Sequence, residues 1–368
     1  MTRLRPFFPA RRHGTMEKTP KEMIALRRLL CALCTLLLLT SSALADQTLV
    51  LTFAGDVTLG SEENIRDHEG SFDSFAQREG HDYFFALVQD LFARDDLTIV
   101  NLEGVLADST RGRRSGKNVC FRGPTSMTAI LTSGSIDAVN LANNHTYDYG
   151  KTGYASTQTA LDEAGIAHFG QRSVYIYDCD GMKVAFFGLA AADFYDHDGW
   201  LSTEIPRLKA EEGVDAVIFT FHAGYEYRKR HSPRQEEYAQ AALDAGADLV
   251  IMHHPHVVQG VEIDGDSAVF YSLGNFCFGG NKTVRSIGAL VVQATLHFSD
   301  AGEYLGQQLR LYPAHISGTE PVTNYQPRLV NGKDALAVMK AVQHDTKFTL
   351  PAFDEALGCV ELPFLAAE

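Results

Sequence analysis

The sequence is short of positive charge, because 32 lysines and arginines stand against 46 aspartates and glutamates and give a formal net charge of −14 at pH 7. Nucleic acids are bound by clustered cations, so a nucleic acid is not expected as a partner. The sequence also lacks a Gly-rich Walker loop, a Gly-x-Ser-x-Gly turn and a dinucleotide-binding Gly motif. These absences exclude the common nucleotide-binding and serine-hydrolase classes.

Long hydrophobic runs are missing as well. The apolar stretch 29–39 is shorter than the about 20 residues that a transmembrane helix needs. It follows Arg27 and Arg28 and precedes the sequence ALA at positions 43–45, which is the layout of a secretory signal peptide. We therefore predict export to the periplasm, the cell surface or the medium, with a mature chain that begins near Asp46. An uncleaved leader that anchors the protein in the membrane is the alternative.

Cysteine is scarce outside the predicted leader, which contains Cys31 and Cys34. The remaining cysteines are Cys120, Cys179, Cys277 and Cys359. Four cysteines in an oxidising compartment allow three pairings, and widely spaced single cysteines are as often buried and free. No disulfide is predicted.

Apolar, β-branched runs alternate with helical patterns through the body of the chain. Strands are predicted for LVLTFAG, LTIVNLEG, IDAVNLANN, MKVAFFGLA, VDAVIFTFHAG, ADLVIMHHP and SAVFYSLGN, and helices for YFFALVQDLFARD, TSMTAILTSG, GYASTQTALDEAG and RQEEYAQAALDAG. The later runs SIGALVVQATLHFS and EYLGQQLRLYPAHI are typical of paired hairpin strands. This alternation predicts an α/β domain with a largely parallel sheet.

Most of these strands end in polar side chains that can bind metal ions. The ends carry Asp56, Asn101 and Glu103, residues 143–145, His222 and residues 253–256. Because ligands gather beyond the carboxyl ends of strands in open α/β sheets, these groups are expected to converge. Carboxylates, amides and imidazoles together suit Zn, Mn or Fe.

Each of these residues also has a structural interpretation. Asp56 could cap a helix, Glu103 could be a solvated loop carboxylate, and the asparagines could be turn residues. His222 alone is more often a hydrogen-bonded core histidine than a ligand. The HHPH run is harder to explain in this way, because His254 and His256 would lie on one side of an extended chain. The joint pattern favours a metal site.

Six blocks in chain order carry a resemblance to a known family. They are LTFAGDVTLG, IVNLEGVLAD, NLANNHTYDYG, FHAGYEY, HHPHVVQGVE and VFYSLGNFCFGG. Spanning about residues 49–280, they resemble the CapA/PgsA family of bacterial capsule and poly-γ-glutamate synthesis proteins. The resemblance implies an α/β fold of the calcineurin-like metallophosphoesterase type, with two mixed β-sheets sandwiched between helical layers. Residues 46–320 would form that domain, residues 1–45 the N-terminal extension and signal peptide, and residues 321–368 a C-terminal extension packed on the domain.

The resemblance also implies roles for individual side chains. One or two divalent ions (Mn, Zn or Fe) would be held by Asp56, Glu103, Asn144, His222, His254 and His256. Among these ligands, Glu103 would stand where a bridging Asp is usual. His145 would protonate the leaving oxygen, a role suited to an imidazole that titrates near neutrality. Supporting or substrate-contacting positions would be Asn143, Glu226, His253 and Asn275.

Two positions depart from the pattern of phosphoesterases of this fold. Thr58 stands two residues after Asp56, where a histidine is usual, and Met252 replaces a glycine before the histidines. One weak or empty metal position is therefore an alternative.

The resemblance implies an exported protein of cell-envelope polymer biosynthesis that acts as a metal-dependent hydrolase or transferase. The alternatives are a noncatalytic component of a polymer synthase or export complex and a polymer-binding module. The expected partners are an envelope polymer or its precursor and membrane-bound synthase subunits.

Positive charge is concentrated in two short segments of the body of the chain. RGRRSGK at 111–117 follows the Glu103 block, and YRKRHSPR at 227–234 follows the His222 block. Both segments follow strand ends that carry candidate ligands. Two solvated loops are the alternative interpretation.

Overall fold

The structure is a computed structural model that describes residues 47–196 and 198–367. Strands β1 to β18 comprise Gln47–Thr58, Leu97–Leu102, Val105–Leu106, Arg122–Gly123, Ala138–Asn140, Ala167–Phe169, Tyr175–Cys179, Met182–Ala190, Ala216–His222, Leu249–His253, Val261–Asp264, Ser267–Phe270, Asn275–Phe278, Gly288–Phe298, Tyr304–His315, Arg328–Leu329, Val360–Glu361 and Leu365–Ala366. Helices α1 to α7 comprise Phe72–Glu79, Gln89–Phe92, Thr128–Ser133, Gly150–Ala164, Asp198–Arg207, Pro233–Asp244 and Gly332–Gln343. The predicted signal peptide lies outside the described residues.

Local sequence signals explain several helix ends. Helix α6 begins with a capping box, in which Ser232 and Gln235 satisfy each other's backbone groups, and has Pro233 in its first turn. Helix α4 is capped by Gly165, whose left-handed φ of 72° lets its backbone N–H donate to the carbonyls of Leu161 and Asp162. The helix predicted for YFFALVQDLFARD is mostly wrong, because only Gln89–Phe92 is helical. The rest of that segment forms turns whose aromatic side chains are buried.

The strands form two large mixed sheets and one small pair. The first sheet has the order β16-β15-β14-β1-β2-β5-β6, with β13 beside β1 and with β17 and β18 beside β15. Its β1-β2-β5-β6 part is parallel, whereas β14 and β15 are antiparallel. The second sheet has the order β11-β12-β10-β9-β8-β7, with a parallel centre and antiparallel edge strands. The predicted α/β class with two mixed sheets is confirmed, and β14 and β15 form the predicted hairpin.

The two sheets face each other across one hydrophobic core. Alternate residues of β8 and β9 show the layering, since Phe186 and Ile218 lie in the core between the sheets. Their neighbours Phe187 and Phe219 lie in a second core with α5 and α6. A third core packs α1, α3 and α4 on the outer face of the first sheet. Central strands are therefore buried on both faces, which explains their nearly continuous apolar sequences.

The C-terminal segment packs on the same unit. Strands β17 and β18 pair with β15, and Val338 and Val342 of α7 lie in the core between the sheets. Cys120, Cys179, Cys277 and Cys359 are unpaired. Within residues 47–196 and 198–367, none of the helices is long and apolar enough to span a membrane.

Candidate metal centre

The carboxyl ends of strands from both sheets meet at one site. Asp56 lies near the end of β1, Glu103 follows β2, His222 ends β9, and the histidines after β10 approach from the second sheet. The Nδ1 atom of His256 lies 3.2 Å from Oδ2 of Asp56, although the two residues are distant in the chain. The site therefore bridges the two sheets.

Glu103 is the central residue of this site. Its side chain is fully buried, and neither carboxylate oxygen has a hydrogen-bond partner within the described part of the chain. Nε2 of His222 lies 3.6 Å from Oε1, and Nδ1 of His256 lies 4.0 Å from Oε2. Burial raises the pKa of Glu103 to about 8. A buried carboxylate without hydrogen bonds is costly, and a bound cation would remove that cost.

Two groups of side chains around Glu103 have the spacing of metal ligands. One group is Glu103, His222 and His254, and the other is Asp56, Glu103 and His256. Within each group, one donor atom per residue lies within 4.8 Å of the others. Imidazoles and carboxylates in this proportion fit divalent Zn, Mn or Fe. The described residues therefore fit one or two metal ions, with Glu103 common to both positions.

The segment after β10 bends and does not continue as a strand. His254 and His256 have positive φ angles of 99° and 56°, so the expectation of an extended chain is wrong. These left-handed conformations are uncommon for residues other than glycine. The turn is fixed because Tyr227 N donates to the carbonyl of Pro255 at 2.7 Å. Both imidazoles nevertheless face the site, where Nδ1 of His254 lies 3.0 Å from Nε2 of His222.

The charges of the site are set by burial and by mutual contact. Burial alone would raise the pKa of Asp56, but the hydrogen bond with His256 and the nearby His253 and His222 hold that pKa below its usual range. Burial and the proximity of His254 hold the pKa of His222 well below its usual value. His222 is therefore a neutral ring with a free lone pair, the form that binds a metal ion.

A chain of buried asparagines orients the ligands. Asn101 donates to Oδ1 of Asp56 at 2.8 Å, and its amide lies 3.2 Å from Nδ1 of His222. Asn140 donates to Asn101 at 3.0 Å. Such contacts fix the orientation of a ligating ring or carboxylate. The sequence placed Asn101 among the polar strand ends but gave no indication of Asn140, which ends the neighbouring buried strand in register with Asn101.

His145 lies beside the candidate ligands and is held by a carboxylate. Nδ1 of His145 contacts Oδ2 of Asp148 at 2.6 Å, and Nε2 lies 3.7 Å from Oε1 of Glu103. Lys117 contacts Asp148 at 2.6 Å and also lies 3.1 Å from Nδ1 of His145. Burial lowers the pKa of His145, although Asp148 opposes this shift. Asp148 was missed by sequence reasoning, although an acid three residues after a candidate histidine was a signal.

The supporting positions divide into buried and exposed residues. Asn143 donates to the carbonyl of Leu102 at 2.8 Å, and Asn275 contacts Nδ1 of His256 at 2.8 Å. His253 is buried, and its Nδ1 lies 3.5 Å from Oδ1 of Asp56. Glu226 is exposed on the loop after β9, and its charge acts on Glu103 and His254.

Asn144, Thr58 and Met252 lie outside the two groups of candidate ligands. Asn144 is exposed, and its backbone carbonyl accepts a hydrogen bond from Lys117 at 2.7 Å. Thr58 is buried with an Oγ1 that has no hydrogen-bond partner in the described chain. Met252 lies in the core with α5 and α6, away from the core between the sheets. The methionine is therefore a packing residue.

A cleft of about 440 Å³ opens onto the site. Its walls include His222, His254, Asn144, Arg114 and Tyr147. The cleft gives a ligand access to two candidate metal ligands and to the loop that carries His145.

A further group, His231, Glu236 and Glu262, also has the spacing of metal ligands. Here Lys347 lies 3.1 Å from Glu236 and 3.7 Å from Glu262, and His231 lies 2.9 Å from Asp345. These side chains already form ion pairs with one another and with Lys347 and Asp345, so the group is a salt-bridge cluster.

Known proteins with a similar sequence or structure include capsule biosynthesis proteins of two bacilli. The chain is 29% identical over 305 residues to the capsule biosynthesis protein CapA of Bacillus anthracis, covering 76% of this chain and 71% of that protein. It is 26% identical over 279 residues to the PGA biosynthesis protein CapA of Bacillus subtilis strain 168, covering 71% of each. A solved structure of a 5'-nucleotidase precursor from Thermus thermophilus aligns with a TM-score of 0.44 and 15% identity, over 80% of this chain and 57% of that chain.

The part of the chain that matches a known protein family contains the six sequence blocks that carry the resemblance. Residues 50–280 match the family described as "Bacterial capsule synthesis protein PGA_cap". The match includes every candidate ligand, the whole second sheet and, in the first sheet, strands β2, β5, β6 and β13 with most of β1. The predicted kinship with CapA proteins is confirmed, and the chain belongs to the PGA_cap family of bacterial capsule synthesis proteins.

Proposed function

We propose that the protein is an exported, metal-dependent hydrolase or transferase of capsule or poly-γ-glutamate biosynthesis. The observation that carries this proposal is the position of Glu103. This buried carboxylate is shared by two groups of candidate ligands and faces the ring of His145. A structural role alone would leave the buried carboxylate without a partner, whereas a metal centre beside a proton-transfer group gives it one.

The ligands would be Asp56, Glu103, His222, His254 and His256, with Asn144 reaching the site from the cleft wall. A divalent ion bound there supplies Lewis-acid stabilisation of negative charge that develops on a substrate. The asparagine chain and the buried sheet ends keep the ligands in place before a substrate binds. Preorganised ligands reduce the reorganisation that the reaction requires.

His145 would transfer a proton to the leaving oxygen. Asp148 holds Nδ1 at 2.6 Å, which leaves Nε2 as the nitrogen that exchanges a proton with the substrate. Nε2 lies on the side of Glu103, within the site. A general acid placed in this way contributes about 10²–10⁴-fold to the rate.

The test of catalysis uses the purified mature chain supplied with Mn or Zn. The substrates are p-nitrophenyl phosphate, as a simple phosphoester, and poly-γ-glutamate, as a γ-glutamyl polymer. We expect metal-dependent turnover of one of them that is lost when EDTA is added. A protein that binds metal but turns over neither substrate would contradict the enzyme proposal.

A noncatalytic role in a polymer synthase or export complex is the second candidate. It is favoured by Thr58, which supplies a hydroxyl where an imidazole is usual, and by the exposed position of Asn144. Copurification with membrane-bound synthase subunits, together with no turnover, would support it.

Export is part of the proposal because of the signal-like residues 27–45. Intact-mass analysis of protein from the cell envelope should show a chain that begins near Asp46. Full-length protein found only in the cytosol would contradict export.

A further inference from the structure

Two loops of the second sheet lie against each other beside the candidate metal centre. Loop 223–232 follows the candidate ligand His222 at the end of β9. Loop 254–260 connects β10 to β11 and carries His254 and His256. The path of loop 254–260 therefore decides where two of the candidate ligands point.

Both loops contain backbone conformations that are uncommon outside glycine. Tyr227 in the first loop has a φ of 59°, and His254 and His256 in the second have φ angles of 99° and 56°. Residues with a Cβ keep such conformations only where the surrounding structure fixes them. The positions of both imidazoles therefore depend on contacts that the loops make with their surroundings.

Two contacts join the loops directly. The backbone N–H of Tyr227 donates to the carbonyl of Pro255 at 2.7 Å. The side-chain amide of Gln259 donates to the carbonyl of Arg228 at 2.8 Å. The first of these contacts lies between the two histidines, so the histidine turn is held by the neighbouring loop.

A third contact joins the loops through a residue that belongs to neither. Oδ2 of Asp345 accepts hydrogen bonds from the backbone N–H of His231 and from the backbone N–H of Gly260, each at 2.9 Å. One carboxylate oxygen thus bridges the far end of loop 223–232 and the far end of loop 254–260. Asp345 lies in the segment after α7, beyond the residues that carry the family match.

The carboxylate of Asp345 is ionised and held in place. The side chain is buried, and Nδ1 of His231 lies 2.9 Å from the same Oδ2 atom. Burial would raise the pKa of Asp345, but the hydrogen bonds from His231 and from Gly260 hold it below its usual range. The ring of His231 stacks on Tyr271 with centroids 3.8 Å apart. Hydrogen bonds to an ionised acceptor are stronger than those between neutral groups, so this bridge is a strong one.

The backbone of the same segment also packs closely on loop 254–260. A Cβ atom on Gly260 would lie 2.1 Å from the carbonyl oxygen of Asp345 and 3.0 Å from the backbone nitrogen of Thr346. Glycine is typical of places where another backbone approaches this closely. Oγ1 of Thr346 accepts a hydrogen bond from the backbone N–H of Val261 at 3.0 Å. The segment therefore fits the loop by shape as well as by hydrogen bonding.

We propose that Asp345 is a positioning residue of the candidate metal centre, which holds loops 223–232 and 254–260 together so that His254 and His256 face the site before an ion binds. The inference rests on the metal centre of the proposed function. Asp345 would act through the backbone of the two loops and not as a ligand. Groups that orient metal ligands contribute about 10–100-fold to metal affinity, and a group that acts through the backbone is expected to contribute about tenfold.

The first measurement is the Mn affinity of the full mature chain by isothermal titration calorimetry. Asp345→Ala should bind Mn about tenfold more weakly than the wild type. Asp345→Asn keeps an oxygen that accepts hydrogen bonds but loses the charge, so its affinity should lie between the two. Gly260→Ala should also weaken Mn binding, because the added methyl group displaces the same segment while the carboxylate is kept. Mn affinities of Asp345→Ala and Gly260→Ala equal to that of the wild type would overturn the proposal.

Asp248→Ala is the matched control for a loss of stability without a loss of positioning. Asp248 precedes β10, is mostly buried and accepts a hydrogen bond from the backbone N–H of Val217 in β9 at 2.7 Å. It joins the same two strands at the end away from the candidate ligands. The control should lower the Tm but bind Mn like the wild type. A control that weakened Mn binding as much as Asp345→Ala would overturn the proposal in favour of general destabilisation.

The second measurement is amide hydrogen exchange in EDTA, which examines the loops without any ion. The informative amide is that of Tyr227, which donates to Pro255 and not to Asp345. It should exchange faster in Asp345→Ala than in the wild type, whereas amides of α4 on the outer face of the first sheet should exchange alike. An unchanged rate at Tyr227 would show that the loops stay together without Asp345 and would overturn the proposal.

The failure of this inference and that of the proposed function are distinguishable. Turnover by a protein whose Mn affinity and Tyr227 exchange do not depend on Asp345 would refute the positioning role alone. Asp345-dependent Mn affinity and exchange in a protein without any turnover would support the positioning role and refute the enzyme proposal. In a wild type that takes up no Mn the metal centre is refuted, and the exchange at Tyr227 decides by itself whether Asp345 holds the loops.

Discussion

Replacing Glu103 with glutamine tests the metal centre most directly. The substitution keeps the shape of the side chain but removes the charge that both groups of candidate ligands share. We expect the Glu103→Gln variant to lose most bound metal from both positions, because an amide is a much poorer ligand for Mn or Zn than a carboxylate.

The same substitution should stabilise the protein when no metal is present. In the ion-free site the pKa of Glu103 is about 8, against an ordinary value of 4.5. At pH 7 the side chain is therefore protonated in the folded protein and ionised in the unfolded chain. Taking up this proton lowers the free energy of unfolding by about 1.4 kcal/mol for each of the roughly 2.5 pH units between the ordinary pKa and pH 7. This amounts to about 3 kcal/mol. Glutamine avoids that cost but still buries an amide, so the net gain is about 1–3 kcal/mol.

The order of stability should reverse when metal is added. Binding at a metal concentration of about 1,000 times Kd stabilises the wild type by about 4.1 kcal/mol, which exceeds the variant's advantage of about 1–3 kcal/mol, whereas the Glu103→Gln variant gains little from metal. With about 2 °C of Tm per kcal/mol in a chain of this size, the variant should melt a few degrees above the wild type in EDTA and below it in Mn.

The assay combines elemental analysis of purified protein with thermal unfolding in EDTA and in Mn. Glu163→Gln serves as the matched control, because Glu163 is exposed on α4 and far along the chain from the ligands. A Glu103→Gln variant that retains the metal content of the wild type would refute the reasoning. A wild type that remains metal-free after supply of Mn, Zn and Fe would refute it too.

Three other expectations follow from the site and its surroundings. His254→Ala should lower the metal content in elemental analysis, whereas His145→Ala should keep the metal and lower turnover about 10²–10⁴-fold. Asp148→Asn should lower kcat about 10–100-fold with little change in KM, because the amide no longer fixes the His145 ring; an unchanged kcat would contradict that role. Burial opposes the charge of His231, but the hydrogen bonds to Asp345 and to a neighbouring glutamate raise its pKa. The ion pair of His231 with Asp345 therefore stabilises the fold below about pH 6, and this stabilisation is lost as the pH rises through the raised pKa. His231→Ala should lower the Tm relative to the wild type by more at about pH 6 than at about pH 9.

The convergence of the candidate ligands could be predicted from the sequence. Apolar runs that end in Asp56, Glu103 and His222 show where buried strands meet polar chemistry, and parallel strands bring their carboxyl ends to one edge. The structure places these residues at one site. Which side chain serves which ion was implied by the family resemblance and remains a prediction.

The contacts made by loops could not be predicted in the same way. Lys117 reaches Asp148 across 31 residues of chain, and no periodicity in the loop 107–121 indicates this return. The turn at His254 and His256 was also missed, since left-handed conformations outside glycine depend on tertiary contacts such as the one with Tyr227.

The helix predicted over residues 83–95 was mostly wrong for a different reason. Its apolar residues have helical spacing, but Phe84, Phe85, Val88 and Phe92 are buried by successive turns against the core outside the first sheet. Tertiary packing of the aromatic rings overrides the local helical preference there.

The site draws donors from two sheets, and residues 198 positions apart in the chain, Asp56 and His254, are in direct contact. A gene divided between α5 and β9 would leave Asp56 and Glu103 on one fragment and His222, His254 and His256 on the other. Neither fragment alone would carry a complete group of candidate ligands. Metal uptake on mixing the two halves would thus be a reporter of reassembly, readable without any knowledge of the substrate.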